Sequence, residues 1–135
     1  MAPVTLLTRT NGALREIIPY NNRKSKVGDG RINTQDIVKV AQNNGGGFGW
    51  AAVECASLSV NGFNDWFLPS SDELNYMYGN LHRRGLGEFR NEKYYSSTAD
   101  TNGSRIMVIN FSDGKQVDDF PYDSTKYRVR ACRQF

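Results

Sequence analysis

The residue types that most often carry out catalysis are scarce in this sequence. His82 is the only histidine, and Cys55 and Cys132 are the only cysteines. A Ser-His-Asp triad would have to use His82, yet the residues around it show neither a nucleophile elbow nor a base held by an orienting partner. No spacing of His and Cys fits a metal site. The sequence therefore predicts no catalysis, no metal and no cofactor.

Two glycine-rich segments, 28–30 and 45–47, lack the context of a phosphate-binding loop. Such a loop follows a strand and carries a lysine or leads into a helix N-terminus. We interpret both segments as turns.

The composition is that of one globular domain. The chain has 135 residues, 39% hydrophobic and 23% charged, with a net charge of +3. A chain of this length can bury one core, so we expect a single domain over residues 1–135. The charge is too small to indicate nucleic-acid binding, and no stretch is long and apolar enough for membrane insertion. The N-terminus lacks a signal-peptide pattern, and a cell-surface, secreted or phage-particle location stays open.

The first third of the chain is predicted to form a hairpin and a helix. A hairpin is expected over residues 4–20, because Asn11-Gly12 separates two apolar runs. Residues 21–33 are polar and are predicted to form a loop. Thr34 is a good N-cap for the helix that follows.

Two more helical segments and several strands follow. One segment spans residues 50–58, and the other begins after Pro69, where Ser70 and Glu73 form a capping box. Its buried stripe contains Leu74, Met77, Tyr78 and Leu81. Strands are predicted over residues 94–98, 105–111, 116–120 and 127–133, with a tight turn at 112–114. Helices followed by antiparallel strands indicate an α+β fold.

Several segments occur in the order and at the distances typical of one protein family. They are Gly28-Asp29-Gly30-Arg31-Ile32-Asn33-Thr34, Ala51-Ala52 with Cys55, Gly62-Phe63-Asn64-Asp65-Trp66-Phe67-Leu68-Pro69-Ser70-Ser71-Asp72-Glu73-Leu74, Tyr94-Tyr95-Ser96-Ser97-Thr98, Phe111-Ser112-Asp113-Gly114 and Val129-Arg130-Ala131-Cys132-Arg133. From about residue 28 to the C-terminus, the sequence resembles the domain of unknown function 1566 family, also called the Lcl C-terminal domain family.

The resemblance implies a C-type-lectin-like fold, in which two helices pack on a twisted, mostly antiparallel sheet that displays variable surface residues. Members of the family occur at the ends of bacterial surface proteins and in phage-associated proteins. One collagen-like adhesin with this domain binds sulfated glycosaminoglycans. Other relatives are variable proteins of diversity-generating retroelements, in which mutation of the C-terminal part changes the ligand.

The sequence departs from the family pattern at three positions. Tyr95 replaces a frequent tryptophan, and Met107 stands where members often have an aromatic residue. Cys132 lies one residue after the usual position of the bonded cysteine, which Ala131 occupies. Since neighbouring strand residues point to opposite faces, this shift argues against a disulfide between Cys132 and Cys55.

The residues that carry the resemblance are predicted to be structural. We expect Trp66 and Leu68 to lie in the core. An inward-facing Arg130 in the last strand would need a carboxylate partner, and Asp65 or Glu73 is expected to supply it. The Glu-Pro-Asn signature of calcium-dependent sugar-binding lectins is absent, so no calcium site is predicted.

A basic cluster follows the helix that starts near residue 70. It comprises His82, Arg83, Arg84, Arg90 and Lys93. Positive charge at a helix C-terminus is favoured by the helix dipole, which is one interpretation. The other is a patch for anions or sulfated sugars, formed by Arg83, Arg84, Arg90 and Lys93.

Two segments, 100–110 and 118–125, are the strongest candidates for ligand binding. They mix aromatic and polar residues without a core-like period, a composition also found in antibody paratopes, although an ordinary polar surface would look the same. The candidate contacts are Asp100, Thr101, Asn102, Ser104, Arg105, Met107, Asn110, Asp118, Asp119, Phe120, Tyr122, Asp123 and Thr125.

The leading hypothesis is a non-catalytic binding module for a protein or glycan on a cell surface, whose binding surface a retroelement diversifies. In it, Phe120 and Tyr122 act as anchors. The alternatives are an adhesin domain for sulfated glycans, and a structural domain at a fibre tip that forms homo-oligomers.

Overall fold

The computed structural model of the chain describes residues 2–8, 24–43, 50–99, 105–119 and 127–134. Their helices and strands are, in chain order, β1 (Ala2–Thr8), α1 (Asp29–Asn43), α2 (Trp50–Ala56), α3 (Ser71–Asn80), β2 (Lys93–Ala99), β3 (Ile106–Asn110), β4 (Gln116–Asp119) and β5 (Arg128–Arg133), with a 3₁₀ turn at His82–Arg84. The predicted α+β class is confirmed. The resemblance implied two helices, whereas the described residues form three α-helices.

The five described strands form one sheet in the order β1-β5-β2-β3-β4. β1 pairs antiparallel with β5, and β2, β3 and β4 pair antiparallel in succession. β2 and β5 are parallel neighbours, so the sheet is mixed and mostly antiparallel. The turn at Asn11-Gly12 and the second strand of the predicted N-terminal hairpin lie outside the described residues.

Helices cover both faces of the sheet. On one face, Ile37 of α1 and Cys55 of α2 pack with sheet residues that include Val108, Val129 and Ala131. On the other face, the core contains Leu74, Met77, Tyr94, Ile109, Phe111 and Cys132. Alternate residues of one strand therefore enter different cores, as the pleat of a strand requires.

The start of α3 confirms the predicted capping box. The Ser70 hydroxyl accepts a hydrogen bond from the Glu73 amide at 3.3 Å, and the Glu73 carboxylate accepts one from the Ser70 amide at 2.8 Å. Both groups are almost completely buried. The sequence located this helix start because the capping residues are only three positions apart.

The predicted start of α1 at Thr34 is wrong, because the helix begins at Asp29. The Glu73 carboxylate also accepts hydrogen bonds from the amides of Gly28 and Gly30, each at 3.1 Å. A residue of another helix therefore satisfies amides at the start of α1, which normally require a nearby cap. Thr34 instead lies inside the helix, where its hydroxyl donates to the Gly30 carbonyl and accepts from the Leu68 amide.

Buried polar side chains join β2 to the segment before α1. The Asn33 side chain exchanges hydrogen bonds with the Lys24 backbone and donates to the Ser97 hydroxyl. The Thr98 hydroxyl donates to the Lys24 carbonyl and accepts from the Ser71 amide. The Ser-Ser-Thr end of β2 is therefore part of the scaffold.

Gly30 is expected to tolerate no side chain. A Cβ at this position would lie 2.2 Å from Glu73 Oε1 and 2.8 Å from the Ser70 nitrogen. We predict that Gly30→Ala destabilises the protein by more than about 3 kcal/mol, because it displaces the buried carboxylate from its amide donors. Urea denaturation measures the change.

Gly79, inside α3, is the matched control, since a Cβ there meets nothing within 4 Å. Gly79→Ala is expected to be neutral or to stabilise the protein by up to about 1 kcal/mol, from helix propensity. Similar unfolding free energies for the two variants would contradict the role given to Gly30.

Candidate functional site

The described part of the predicted binding surface lies on the β3–β4 hairpin. Met107 of β3 is paired with Asp118 of β4, and Ile109 with Gln116. Asp118 and Gln116 are exposed, Met107 is half-buried, and Gln116 Nε2 lies 3.2 Å from Met107 Sδ. Arg105, just before β3, is also exposed. The structure thus brings the predicted contacts Arg105, Met107 and Asp118 together.

The other apolar side chains of β3 are fixed in the two cores. Ile106 and Val108, which alternate with Met107, lie in one core, and Ile109, on the Met107 face, lies in the other. The Ser96 hydroxyl donates a hydrogen bond to the Met107 carbonyl at 2.5 Å, and this bond also attaches β3 to β2. The exposed side chains therefore stand on a backbone with little freedom to move.

Asn110 has a structural role that the binding prediction did not include. Its Oδ1 accepts hydrogen bonds from the amide and the hydroxyl of Ser112, at 3.0 and 2.7 Å. Its carbonyl accepts from the Gly114 amide at 2.7 Å, in the predicted tight turn. Asn110 is half-buried and holds the turn between β3 and β4.

Most of the other predicted contacts have no described position. Asp119 ends β4. The following lie outside the described residues: Asp100, Thr101, Asn102, Ser104, Phe120, Tyr122, Asp123 and Thr125. Gln116 was missed by the sequence prediction, although alternation along a strand places it on the same face as Asp118.

The basic cluster forms a second exposed surface. Arg83 and Arg84 lie on the 3₁₀ turn, and they and Arg90 are exposed. No side chain of these three arginines makes a hydrogen bond or ion pair within the described residues. Lys93 differs, since it is half-buried and its ammonium lies 5.5 Å from the centre of the Tyr127 ring.

No family model, curated protein or solved structure matches this chain. The resemblance to the domain of unknown function 1566 family thus stays a prediction, and the site is interpreted from its own chemistry.

The arginines of β5 do not pair as predicted. We expected Asp65 or Glu73 to pair with Arg130, but Asp65 pairs with Arg133, through Nε at 2.7 Å and a second nitrogen at 3.0 Å. This hydrogen bond lowers the pKa of Asp65 and raises that of Arg133. Glu73 is occupied by backbone amides.

Arg130 is buried without a carboxylate partner among the described residues. Its guanidinium carbon lies 4.0 Å from the centre of the Phe89 ring, and one terminal nitrogen donates to the Glu88 carbonyl at 3.4 Å. Its Nε has no hydrogen-bond partner among the described residues. Burial lowers the pKa of Arg130, while the nearby Tyr94 and Glu88 raise it. A ring face and a carbonyl thus replace the expected ion pair.

Trp66, Leu68 and His82 lie in packed surroundings. Trp66 and Leu68 are buried as predicted, and Trp66 Nε1 donates to the Phe63 carbonyl. His82 Nε2 is hydrogen-bonded to the side-chain oxygen of Asn91. The imidazole ring packs against the rings of Tyr78, Phe89 and Phe111. Among the described residues, no group of three His, Cys, Asp or Glu side chains could hold a metal ion. No described helix is long and apolar enough to cross a bilayer.

Both cysteines are buried thiols that form no disulfide. Cys55 belongs to the core that contains Ala131, whereas Cys132 belongs to the core on the opposite face of the sheet. Burial raises the pKa of the Cys132 thiol well above its ordinary value, so the reactive thiolate is disfavoured. The two thiols therefore lie on opposite faces of the sheet, which agrees with the alternation argument against a disulfide.

Both thiols are expected to resist alkylation in the folded protein. Iodoacetamide at pH 8 should modify them roughly a thousandfold or more slowly than in urea, because reaction requires opening of the core. Mass spectrometry of timed samples measures both rates. Rapid modification of Cys132 alone in native buffer would contradict its position in the core.

Proposed function

We propose that this chain is a non-catalytic ligand-binding module with a C-type-lectin-like fold, and that the β3–β4 hairpin forms part of its binding surface. The ligand is a protein or glycan on a cell surface. The observation that carries this proposal is a contrast within the hairpin. Ile106, Val108 and Ile109 are fixed in the two cores, whereas the Met107 face beyond Ile109 presents Arg105, Met107 and Asp118.

The chemistry of these exposed side chains fits recognition. They offer a cation, a polarisable thioether and a carboxylate, with an amide at Gln116 beside them. A rigid backbone limits the loss of conformational entropy on binding to the side chains themselves. Segments 100–104 and 120–126 adjoin the hairpin in sequence and carry the other predicted contacts, including Phe120 and Tyr122. In the relatives that a retroelement diversifies, the C-terminal part of the domain varies. We propose that the same holds for this surface.

The test reverses the two charges of the hairpin. Labelled protein is applied to a glycan array and to bacterial and host cell surfaces, and binding is compared with that of the double variant Arg105→Glu/Asp118→Arg. We expect binding to fall roughly tenfold or more, because charged contacts at the centre of an interface often contribute that much. Mass spectrometry should recover the ligand chemically unchanged, since no turnover is expected.

The matched control is Lys26→Glu/Asp36→Arg, which reverses two exposed charges and keeps the same net charge. It should bind like the wild type, and circular dichroism should show that both double variants are folded. Wild-type binding by the hairpin variant would overturn the proposed surface.

A second function, binding of a sulfated glycan, is favoured by three arginines that make no ion pair with any described residue. Arg83, Arg84 and Arg90 lie within eight positions of one another and are all exposed. Guanidinium groups bind sulfate and phosphate in a bidentate manner. This site lies outside the β3–β4 hairpin, so the two proposals can be tested separately.

Heparin chromatography tests this second function. The triple variant Arg83→Gln/Arg84→Gln/Arg90→Gln should elute at a clearly lower salt concentration than the wild type, because exposed charge pairs are screened by salt. The control Lys24→Gln/Lys26→Gln/Lys115→Gln removes three exposed charges elsewhere. An equal loss of retention in both triple variants would indicate that net charge alone is responsible and would overturn the site.

A further inference from the structure

A cleft of about 410 Å³ lies between α1 and the segment of residues 64–67. One wall is a stripe of α1 that includes Arg31, Gln35, Val38 and Lys39, and the other wall includes Asp65 and Trp66. This volume is within the range of about 300–1,000 Å³ that is common for small-molecule sites.

The walls of the cleft carry uncompensated positive charge. Arg31 and Lys39 are exposed, and neither makes a hydrogen bond or ion pair within the described part of the chain. Asp65 is the one carboxylate among the described wall residues, and its bidentate pair with Arg133 neutralises it. A ligand in this cleft therefore meets two available cations, and negative charge on the ligand is favoured.

The spacing of the two cations points to an elongated ligand. Arg31 and Lys39 are eight residues apart on one helix, which corresponds to about 12 Å along its axis at about 1.5 Å per residue. Gln35 and Val38 lie between them on the same wall. The amide can donate hydrogen bonds to a polar middle section, and Val38 and Trp66 provide apolar contact. A compact anion could reach both only by drawing the two like charges toward each other, which an elongated ligand avoids.

We propose that this cleft binds an elongated organic dianion with an anionic group at each end, such as a linear dicarboxylate. Arg31 and Lys39 would each bind one end. This site is separate from the proposed surface on the β3–β4 hairpin, since the described residues that line the cleft include none from the hairpin. Failure of either proposal would leave the other unaffected.

NMR titration of the full-length chain with adipate tests the proposal. We expect saturable shifts confined to residues 31–42 and 64–67, with an affinity that is roughly millimolar for so small a probe. The neutral analogue 1,6-hexanediol should cause no saturable shift at these residues. Inorganic phosphate, a compact anion, should bind more weakly than adipate.

Two single variants, Arg31→Gln and Lys39→Gln, should each weaken adipate binding on the order of tenfold, by removing one charge-assisted contact. Lys115→Gln is the matched control, because it removes an exposed lysine charge outside the cleft, and it should bind adipate like the wild type. The proposal is overturned if adipate causes no saturable shifts in the cleft, if phosphate binds as tightly, or if all three variants weaken binding equally.

Discussion

The buried carboxylate of Glu73 is the interaction on which the rest of the structure depends. It accepts three backbone hydrogen bonds, from Gly28, Gly30 and Ser70, and so joins the starts of α1 and α3. A buried carboxylate without such donors would be strongly unfavourable, so these backbone segments have to stay in place together. The glycine at position 30 follows from this constraint, since any Cβ would occupy the space of the carboxylate oxygen. Thr34 extends the connection, because its hydroxyl accepts a hydrogen bond from the Leu68 amide.

This arrangement explains what could be predicted from the sequence and what could not. The start of α3 was predictable, because Ser70 and Glu73 lie within one turn of each other. The start of α1 was not predictable. The Glu73 carboxylate, which accepts hydrogen bonds from the first amides of α1, is 43 residues away from Gly30 in the chain. Sequence reasoning assigned the cap to Thr34, the nearest residue of suitable type, and a partner distant in the chain has no local signal.

Strand register decides the pairing of charges in the same way. Phe67 forms an antiparallel bridge with Cys132, so Asp65 lies beside the end of β5 and meets Arg133. Arg130 lies farther back along the strand and meets Phe89 and the Glu88 carbonyl. Alternation along β5 was enough to place Cys132 on the face of the sheet away from Cys55. Which face a strand residue occupies depends only on whether its position is odd or even. The choice between Asp65 and Glu73 required the register, which the sequence does not specify.

The contrast between scaffold and surface has a consequence for how this chain can vary. Glu73, Gly30 and Thr34 each satisfy several partners at once, so replacing any of them leaves buried groups unsatisfied. Arg105 and Asp118 are exposed and Met107 is half-buried, and surface substitutions of this kind usually cost little stability. The fold can therefore keep its helices and sheet while the residue types at 105, 107 and 118 change. This is the physical requirement for a scaffold that supports different ligands.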